Sequence, residues 1–549
     1  MGLITLFVGL LGFRLFHLQI TEHALYLAQA AGQYGKFNVI PAKRGEIYFS
    51  NAKSGGQPML AATNVNQNLV FANASQMTAD DEELAAMELA PILGLNAADV
   101  LTDIKVGNQK YLPLKHNLTD DQSKQIQKLN LTGIHLTPES VRLYPQANLA
   151  SQVLGFLGYK GDDRVGQYGV EGGFQTDLAG HDGVASDAGT ETGPVDGNDI
   201  YLTIDPSIQF KAQQVLDSTV QTHGADSGSV IVVNPKTGAI MAMANYPDFD
   251  PNNYSQVDSV SQYNNDVIYS DYEPGSVFKA ITLAAGINEG KITPQSTYND
   301  TGSVQVDDRV IKNSNPAPLG TQTMTQVLDE SLNTGAVYVQ QLLGQDTFRQ
   351  YVEKFGFGKT TGIDLPGESA GNLSQLNNAG NIFYATASFG QGISVTSMQL
   401  IQAYTAFANG GQMVKPYVVD KIVHPDGSVI QKEPQPAGQV ISAKTAATVS
   451  AMLVDVVENG HGKQAGVPGY YIGGKTGTAQ VAYTDRAGYD PSRNIGTFIG
   501  FGPVDNPVFL MLVRINDPKD VKFAESTAAP AFGDIASFIL NYLQIPPSR

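Results

Sequence analysis

No cysteine occurs in the chain, and that one gap removes thiol nucleophiles, thiolate zinc sites and disulfides together. It suits an oxidising compartment in which stray thiols are avoided. Positive charge is also scarce: 34 Lys and Arg stand against 52 Asp and Glu, a formal net charge of -18. A surface of that sign repels a phosphate backbone unless its cations gather on one face, and no basic run does so; nucleic acid is not an expected partner. The eight histidines show no ligand spacing such as His-x-x-x-His, so no metal site is expected. Internal repeats and low-complexity tracts are absent as well. What remains is a globular composition, 42% hydrophobic and 16% charged, on a 549-residue chain long enough for two or more domains.

The amino terminus reads MGLITLFVGLLGF, apolar up to Arg14, and LFHLQI carries the pattern to Ile20. That is near the length of a bilayer span if Arg14 snorkels. A buried helix or a cleaved signal are the alternatives. A signal peptide requires a basic region first, and none precedes this segment; the small-residue site Ala28-Gln29-Ala30 lies far past the apolar run. An uncleaved anchor over 1–20 is the expectation, with the true start possible upstream and the bulk of the chain outside the cytoplasm.

Residues 21 to 195 mix short β-like runs (NLVFANA, KYLPLKH, TGIHLTP) with helical stretches such as TADDEELAAMELAPIL, whose Thr78 and acidic first turn signal a helix start. GVASDAGTETGPVDGND then reads as a linker or hairpin without a core of its own. IYLTI at 200–204 predicts a strand, and Ile208, Ala212, Val215 and Val220 the apolar face of a following helix. SGSVIVVNPKTGAIMAMANYP predicts a hairpin. Helical patterns occupy much of 276–350 and 396–409, and strands return after Gly474 and in TFIGFGP and VFLMLVRI. A sheet flanked by helices is the economical reading.

Residues 469–480, GYYIGGKTGTAQ, fit a phosphate-loop pattern from Gly469 to Thr476. A phosphate loop needs a buried strand before the first glycine and a helix from the lysine. HGKQAGVP before it is no strand, and GTAQVAY after Thr476 is β-compatible, so the match is accidental. The rival is a serine acyltransferase built from Ser-x-x-Lys, Ser-x-Asn and Lys-Thr-Gly in that order. Each motif occurs twice: Ser50/Lys53 and Ser276/Lys279, Ser331/Asn333 and Ser492/Asn494, Lys236 and Lys475. Ser276 follows Glu273-Pro274-Gly275 and opens a helical pattern, with Lys279 one turn on and able to take its proton. Ser50/Lys53 lies in the loop FSNAKSGGQ. Ser331 and Asn333 fall between two helical runs, whereas Ser492/Asn494 is out of order in a polar loop. Lys236 precedes every candidate serine and suits a hairpin turn. Lys475-Thr476-Gly477-Thr478 follows two glycines that allow close backbone approach and leads into a strand. One ordered set survives: Ser276, Lys279; Ser331, Asn333; Lys475, Thr476, Gly477.

With YEPGSVFK, SLN, GGKTGTAQ and FGQGISVTSMQL, the chain resembles the transpeptidase domain of class B penicillin-binding proteins. KFNVIPAKRGEIY, VRLYPQANLASQVLGFLG and YGVEGGFQTDLAGHDG resemble that family's pedestal domain. Glu-Pro-Gly before Ser276 looks more like the cell-division than the elongation branch. After Arg44-Gly45-Glu46-Ile47 the family usually continues with an Asp-Arg-Asn-Gly-like turn, and this chain departs with YFSNAKSGGQ. The resemblance implies an α+β multidomain fold: membrane helix (1–20), elongated α+β pedestal of the dimerisation-domain kind (21–195), and a transpeptidase domain (196–549) with a serine β-lactamase-like antiparallel sheet flanked by helices. It implies a serine D,D-transpeptidase, sensitive to β-lactams, that cross-links peptidoglycan stem peptides without metal or organic cofactor. Ser276 would attack the penultimate D-Ala carbonyl, with Lys279 as its neutral base. Backbone N–H groups of Ser276 and Thr478 would hold the oxyanion. Ser331 would relay a proton, Asn333 would orient substrate amides, and Lys475, Thr476 and Gly477 would bind the substrate carboxylate. A membrane glycosyltransferase of the SEDS type and division or elongation proteins are the implied partners. A related carboxypeptidase or β-lactamase-type hydrolase, or an inert scaffold, are the alternatives.

Overall fold

The structure, a computed structural model, describes residues 37–50, 57–105, 110–160, 163–186, 191–483, 486 and 488–549. The expected anchor at 1–20 lies outside them, and among the described residues no helix is long and apolar enough to cross a membrane. The chain divides into two compact units, each assembled from separated stretches: residues up to 46, 62–145 and 177–198 in one, and 47–61, 146–176 and 199–549 in the other.

In the smaller unit the strand stretch Thr63–Ala72 pairs antiparallel with Ile134–Leu143, and near its end with Leu112–Leu118. The helix Ala79–Leu93 starts as its sequence dictates. Thr78 and Asp81 form a reciprocal capping box, three acids sit in the first turn, and Gly94 closes the helix in the left-handed conformation at φ +66°. Leu89, Leu93, Val100, Ile104 and Ile126 from its helices bury against Val70 and Leu118 of the sheet. The GVASDAGTETGP stretch forms a small antiparallel pair, Gly183–Ser186 with Glu191–Thr192.

The larger unit is built on a five-stranded antiparallel sheet: β1 (Ser227–Val233), β2 (Ile240–Tyr246), β3 (Gly473–Ala482), β4 (Tyr489–Gly502) and β5 (Phe509–Asn516), in the spatial order β2-β1-β5-β4-β3. β1 and β5 read as continuous apolar runs because they are buried along nearly their whole length. On one face lie α1 (Pro206–Thr222) and the carboxy-terminal helix Ala528–Tyr542, where Ile208, Ala212 and Leu216 meet Val230, Val232, Met511, Val513, Phe532 and Ile535. α1 begins on an Asp205 side chain that accepts from the amides of Ser207 and Ile208, with proline at its first position. Further helices complete the unit: α2 (Lys279–Asn288), α3 (Met324–Asp329), α4 (Asn333–Leu343), α5 (Ser397–Ala408) and α6 (Ala443–Glu458). Every residue of α5 is buried. Between α2 and α3 the structure departs from the helical pattern. Thr297–Asp300, Ser303–Val306, Arg309–Lys312 and Gly320–Thr323 form two small antiparallel pairs, whose alternating polar and β-branched residues leave no helical stripe to bury.

Candidate active site

The turn that carries Ser276 is bolted on three sides. Tyr272 exchanges both backbone hydrogen bonds with Val395, and the Gly275 amide donates to the Gly390 carbonyl at 3.0 Å. Glu273 Oε1 accepts from the Gly392 amide (2.8 Å) and the Tyr489 hydroxyl (3.0 Å). The buried Tyr404 hydroxyl donates to the Val277 carbonyl at 2.6 Å. Gly275 (φ +60°) and Gly390 (φ +79°) occupy conformations that L side chains rarely adopt. A Cβ on Gly390 would come 2.3 Å from the Gly275 carbonyl oxygen, where no flexible side chain can yield. Gly390→Ala is therefore expected to displace the turn, and a shift of about 1 Å costs roughly a hundredfold in rate. The acylation rate with a labelled penicillin measures this, and a wild-type rate would contradict it.

Residues Gly275–Phe278 make one 3-10 turn that runs directly into α2. Ser276 and Lys279 thus sit one turn apart, and the Lys279 amide donates to the Ser276 carbonyl. The Lys279 side chain is fully buried, and its Nζ donates to the Ser331 carbonyl and, at 3.2 Å, to Ser331 Oγ. Ser331 lies between α3 and α4 at φ +54°. Asn333 opens α4 and donates from Nδ2 to the Lys312 carbonyl at 2.8 Å. Thr334 ties the same segment down through Asp300 (2.6 Å) and Asn313 (3.2 Å).

β3 forms the sheet edge against this turn. Lys475 is fully buried, and its Nζ donates to Ser331 Oγ at 3.0 Å and the Thr476 carbonyl at 3.2 Å. Gly477 faces the Ser276 turn so closely that a Cβ would lie 3.0 Å from the Pro274 carbonyl oxygen and 2.9 Å from Val277 Cγ1. Thr478 is also opposite it, since a Cβ on Gly275 would come 3.2 Å from the Thr478 carbonyl oxygen. All eight residues singled out in the sequence are thereby brought to one place.

Two ammonium groups reaching one hydroxyl cannot both keep their charge cheaply. Their nitrogens are at most about 6 Å apart, where two unit charges repel by roughly 3 kcal/mol at an effective dielectric of about 20. Burial first, and Lys475 second, push Lys279 well below the ordinary lysine range. Burial also lowers Lys475, to about 7, with the charges of Asp329 and Glu525 pulling the other way. A neutral amine one turn from a serine hydroxyl can take its proton, and a neighbouring buried ammonium can hold a carboxylate. Among the described residues no group of three or more His, Asp or Glu is arranged to hold a metal ion.

The second copies of each motif fall elsewhere. Lys236-Thr237-Gly238 is the turn joining β1 to β2, with the Lys236 amide on Asn234 Oδ1 at 3.0 Å. Ser492 and Asn494, expected in a polar loop, lie on β4 instead, because pairing with the edge strand extends past Asn494 to Tyr489. Ser50 is described but Lys53 lies outside the described residues. Sequence reasoning missed Asp329 as a neighbour of Lys475 and Glu273 as a tie between three segments; neither has a spacing signal, because their partners are remote in the chain.

A serine one helical turn before a buried lysine whose pKa is pushed down, packed against an antiparallel sheet walled by helices, is an arrangement suited to serine acyl transfer. Residues 228–537 match the transpeptidase domain of penicillin-binding proteins, and residues 39–202 match the penicillin-binding protein dimerisation domain. Stage V sporulation protein D of Bacillus subtilis is 34% identical over 526 residues, covering 92% of this chain and 79% of that protein. A probable peptidoglycan D,D-transpeptidase of Pseudomonas aeruginosa is 32% identical over 552 residues, covering 98% of this chain and 93% of its own length. Among solved structures, penicillin-binding protein 3 of Mycobacterium tuberculosis complexed with aztreonam is 28% identical, with a TM-score of 0.74 over 93% of this chain and 98% of that one. The chain belongs to the class B penicillin-binding proteins.

Proposed function

We propose that Ser276 is the residue acylated in a serine-type D,D-transpeptidase of cell-wall peptidoglycan synthesis. The observation that carries this reading is the convergence of two buried lysines on Ser331 Oγ beside the Ser276 turn. Lys279 takes the Ser276 proton as Oγ attacks the penultimate D-Ala carbonyl of a stem peptide. The N–H groups of Ser276 and Thr478 hold the resulting oxyanion, one such donor contributing roughly 2.7 to 4 kcal/mol. The peptide C–N bond breaks as Ser331 passes a proton to the leaving D-Ala amine. An amine of a neighbouring stem peptide then attacks the ester carbonyl, the bond from the acyl carbon to Ser276 Oγ breaks, and the amine's proton passes through Lys279 back to Ser276 Oγ as the cross-linked peptide leaves. Lys475, Thr476 and Gly477 hold the carboxylate of the terminal D-Ala, and Asn333 orients substrate amides.

A β-lactam presents the same carboxylate and a strained amide to the same atoms, so acylation by penicillins belongs to this reading. In it, residues 21–195 are the pedestal and 196–549 the transpeptidase domain. Residues 1–20 are a single-pass anchor that holds the catalytic domain outside the cytoplasm of a bacterial cell. A membrane glycosyltransferase of the SEDS type supplies the glycan strands. The Glu273-Pro274-Gly275 sequence before the nucleophile favours service in the division machinery over elongation.

The test is release of D-alanine from a synthetic stem pentapeptide with and without an acceptor amine. Release that depends on the acceptor and yields the amide-linked dimer is expected. Equal release without acceptor, giving the free acid, would identify a carboxypeptidase-type hydrolase. No release and no acylation by penicillin would identify an inert scaffold.

A further inference from the structure

Ser331 holds a backbone conformation that it would not take alone. At φ +54° it lies in the left-handed region, where a residue with a Cβ persists only if its surroundings enforce it. On the α3 side the Ser331 amide donates to the Leu328 carbonyl at 3.2 Å, and the Leu332 amide to the Val327 carbonyl at 2.9 Å. On the α4 side Asn333 Nδ2 donates to the Lys312 carbonyl at 2.8 Å, and the Thr334 amide donates to Asn313 Oδ1 at 3.1 Å. Lys312 ends the short strand Arg309–Lys312, and Asn313 follows it. The turn is thus clamped between its own helices and a hairpin remote from both lysines in sequence.

The hairpin side of the clamp converges on one carboxylate. Asp300, at the end of Thr297–Asp300, is only 1% exposed. Its Oδ1 accepts from Thr334 Oγ1 at 2.6 Å, from Asn313 Nδ2 at 2.9 Å and from the Gly302 amide at 3.3 Å; its Oδ2 accepts from the Leu319 amide at 3.1 Å. The Tyr298 hydroxyl adds a bond of 3.0 Å to Thr334 Oγ1. Burial alone would raise the carboxyl, but Thr334, Leu319, Asn313 and Gly302 together hold it below the usual aspartate range, and it is charged at neutral pH. A charged acceptor draws its donors more strongly than a neutral one. It also decides which way Asn313 faces, with Nδ2 on Asp300 and Oδ1 left for the Thr334 amide.

We propose that Asp300 is a positioning residue for the transfer reaction: through Asn313 and the Thr334 hydroxyl it enforces the left-handed Ser331 turn, and so holds Ser331 Oγ where Lys279 and Lys475 both reach it. The two lysines bond that oxygen at 3.2 and 3.0 Å, and a displacement of about 1 Å would carry it out of hydrogen-bond range of one of them. Asparagine in place of Asp300 keeps the shape but has a single oxygen. Its NH2 group would face either the Leu319 amide or the Thr334 and Asn313 donors, and the clamp would open on one side. The inference rests on the role given to Ser331 under the proposed function.

The experiment is the second-order rate of acylation by a labelled penicillin for the wild type, Asp300→Asn, Thr334→Val and Thr334→Ser, with the first two substitutions also placed in a Ser331→Ala background. Asp300→Asn and Thr334→Val are each expected to slow acylation roughly tenfold to a hundredfold, the usual result of a displacement of about 1 Å. Thr334→Ser restores the hydroxyl and is expected to recover most of that loss. In the Ser331→Ala background the same two substitutions are expected to cost little more, because the hydroxyl they position is already gone. A cluster that served only to hold the fold together would slow both backgrounds by the same factor, and that additive result overturns the inference. Wild-type rates in Asp300→Asn and Thr334→Val overturn it as well. If Asp300→Asn does not fold, the Thr334 variants decide alone: a serine that recovers nothing, or a valine that loses nothing, overturns the inference. A wild type that no penicillin acylates overturns the reading of the site and this inference with it, whereas a wild type that is acylated beside unslowed variants overturns only the inference.

Discussion

Ser276→Ala is expected to abolish covalent labelling by a fluorescent penicillin, to background, while Ser50→Ala labels as the wild type does. The contrast is informative because both serines stand three residues before a lysine. Around Ser276 the lysine is fully buried and aimed at a third motif residue, and the turn is held by Gly390, Val395 and Tyr404. Ser50 offers a backbone amide to the Ile204 carbonyl at 2.9 Å, an ordinary structural bond that survives substitution by alanine. Removing the half-buried Ser276 hydroxyl leaves no cavity that the unfolding temperature should register. Labelling that persisted in Ser276→Ala would remove the nucleophile from the mechanism. Loss in Ser50→Ala alone would transfer the role to the other pair.

Lys279→Met is expected to lower the acylation rate by roughly a hundredfold to ten-thousandfold, the usual yield of a positioned base, while raising the stability of the fold near neutral pH. The two effects share a cause. Lys279 is buried beside a second lysine and opens α2, where the helix dipole also disfavours a cation. In the unfolded chain an ordinary lysine keeps its proton to about pH 10.4. In the fold it loses the proton well below that. Between the two values the unfolded state binds more protons, so stability rises with pH through that window, and below it folding carries the cost of a buried charge. Methionine of similar length has no proton to expel. The unfolding temperature of the variant should therefore exceed that of the wild type at pH 7, with the gap closing towards pH 10. Thermal melts across that range, beside labelling rates, check both halves; a variant that is less stable at pH 7 contradicts the account.

The motif residues were legible because each is set by local sequence. Ser276 and Lys279 share a helical turn, Ser331 falls where two helices break, and two glycines before Lys475 announce a close approach that the Gly474 and Phe498 contact makes concrete. The hairpin of β1 and β2, the Thr78 cap and α1 follow equally from turn chemistry and periodicity. The four short strands between α2 and α3 were not legible, since runs of four residues carry too little pattern to compete with helical neighbours. The burial of Asp329 was invisible for a different reason: nothing in its short helix marks a carboxyl that will be buried.

The sheet order carries a last consequence. β1 leaves the ribosome some 280 residues before its neighbour β5, and Ser276 about 200 before Lys475. No leading fragment that ends before β3 can therefore bring the two lysines to Ser331. The centre comes into being only when the last strands thread between β1 and β3, a closure of long range and slow kind. Reactivity towards penicillin is for this reason a gauge of finished folding, silent for a nascent chain that has not yet supplied β3, β4 and β5.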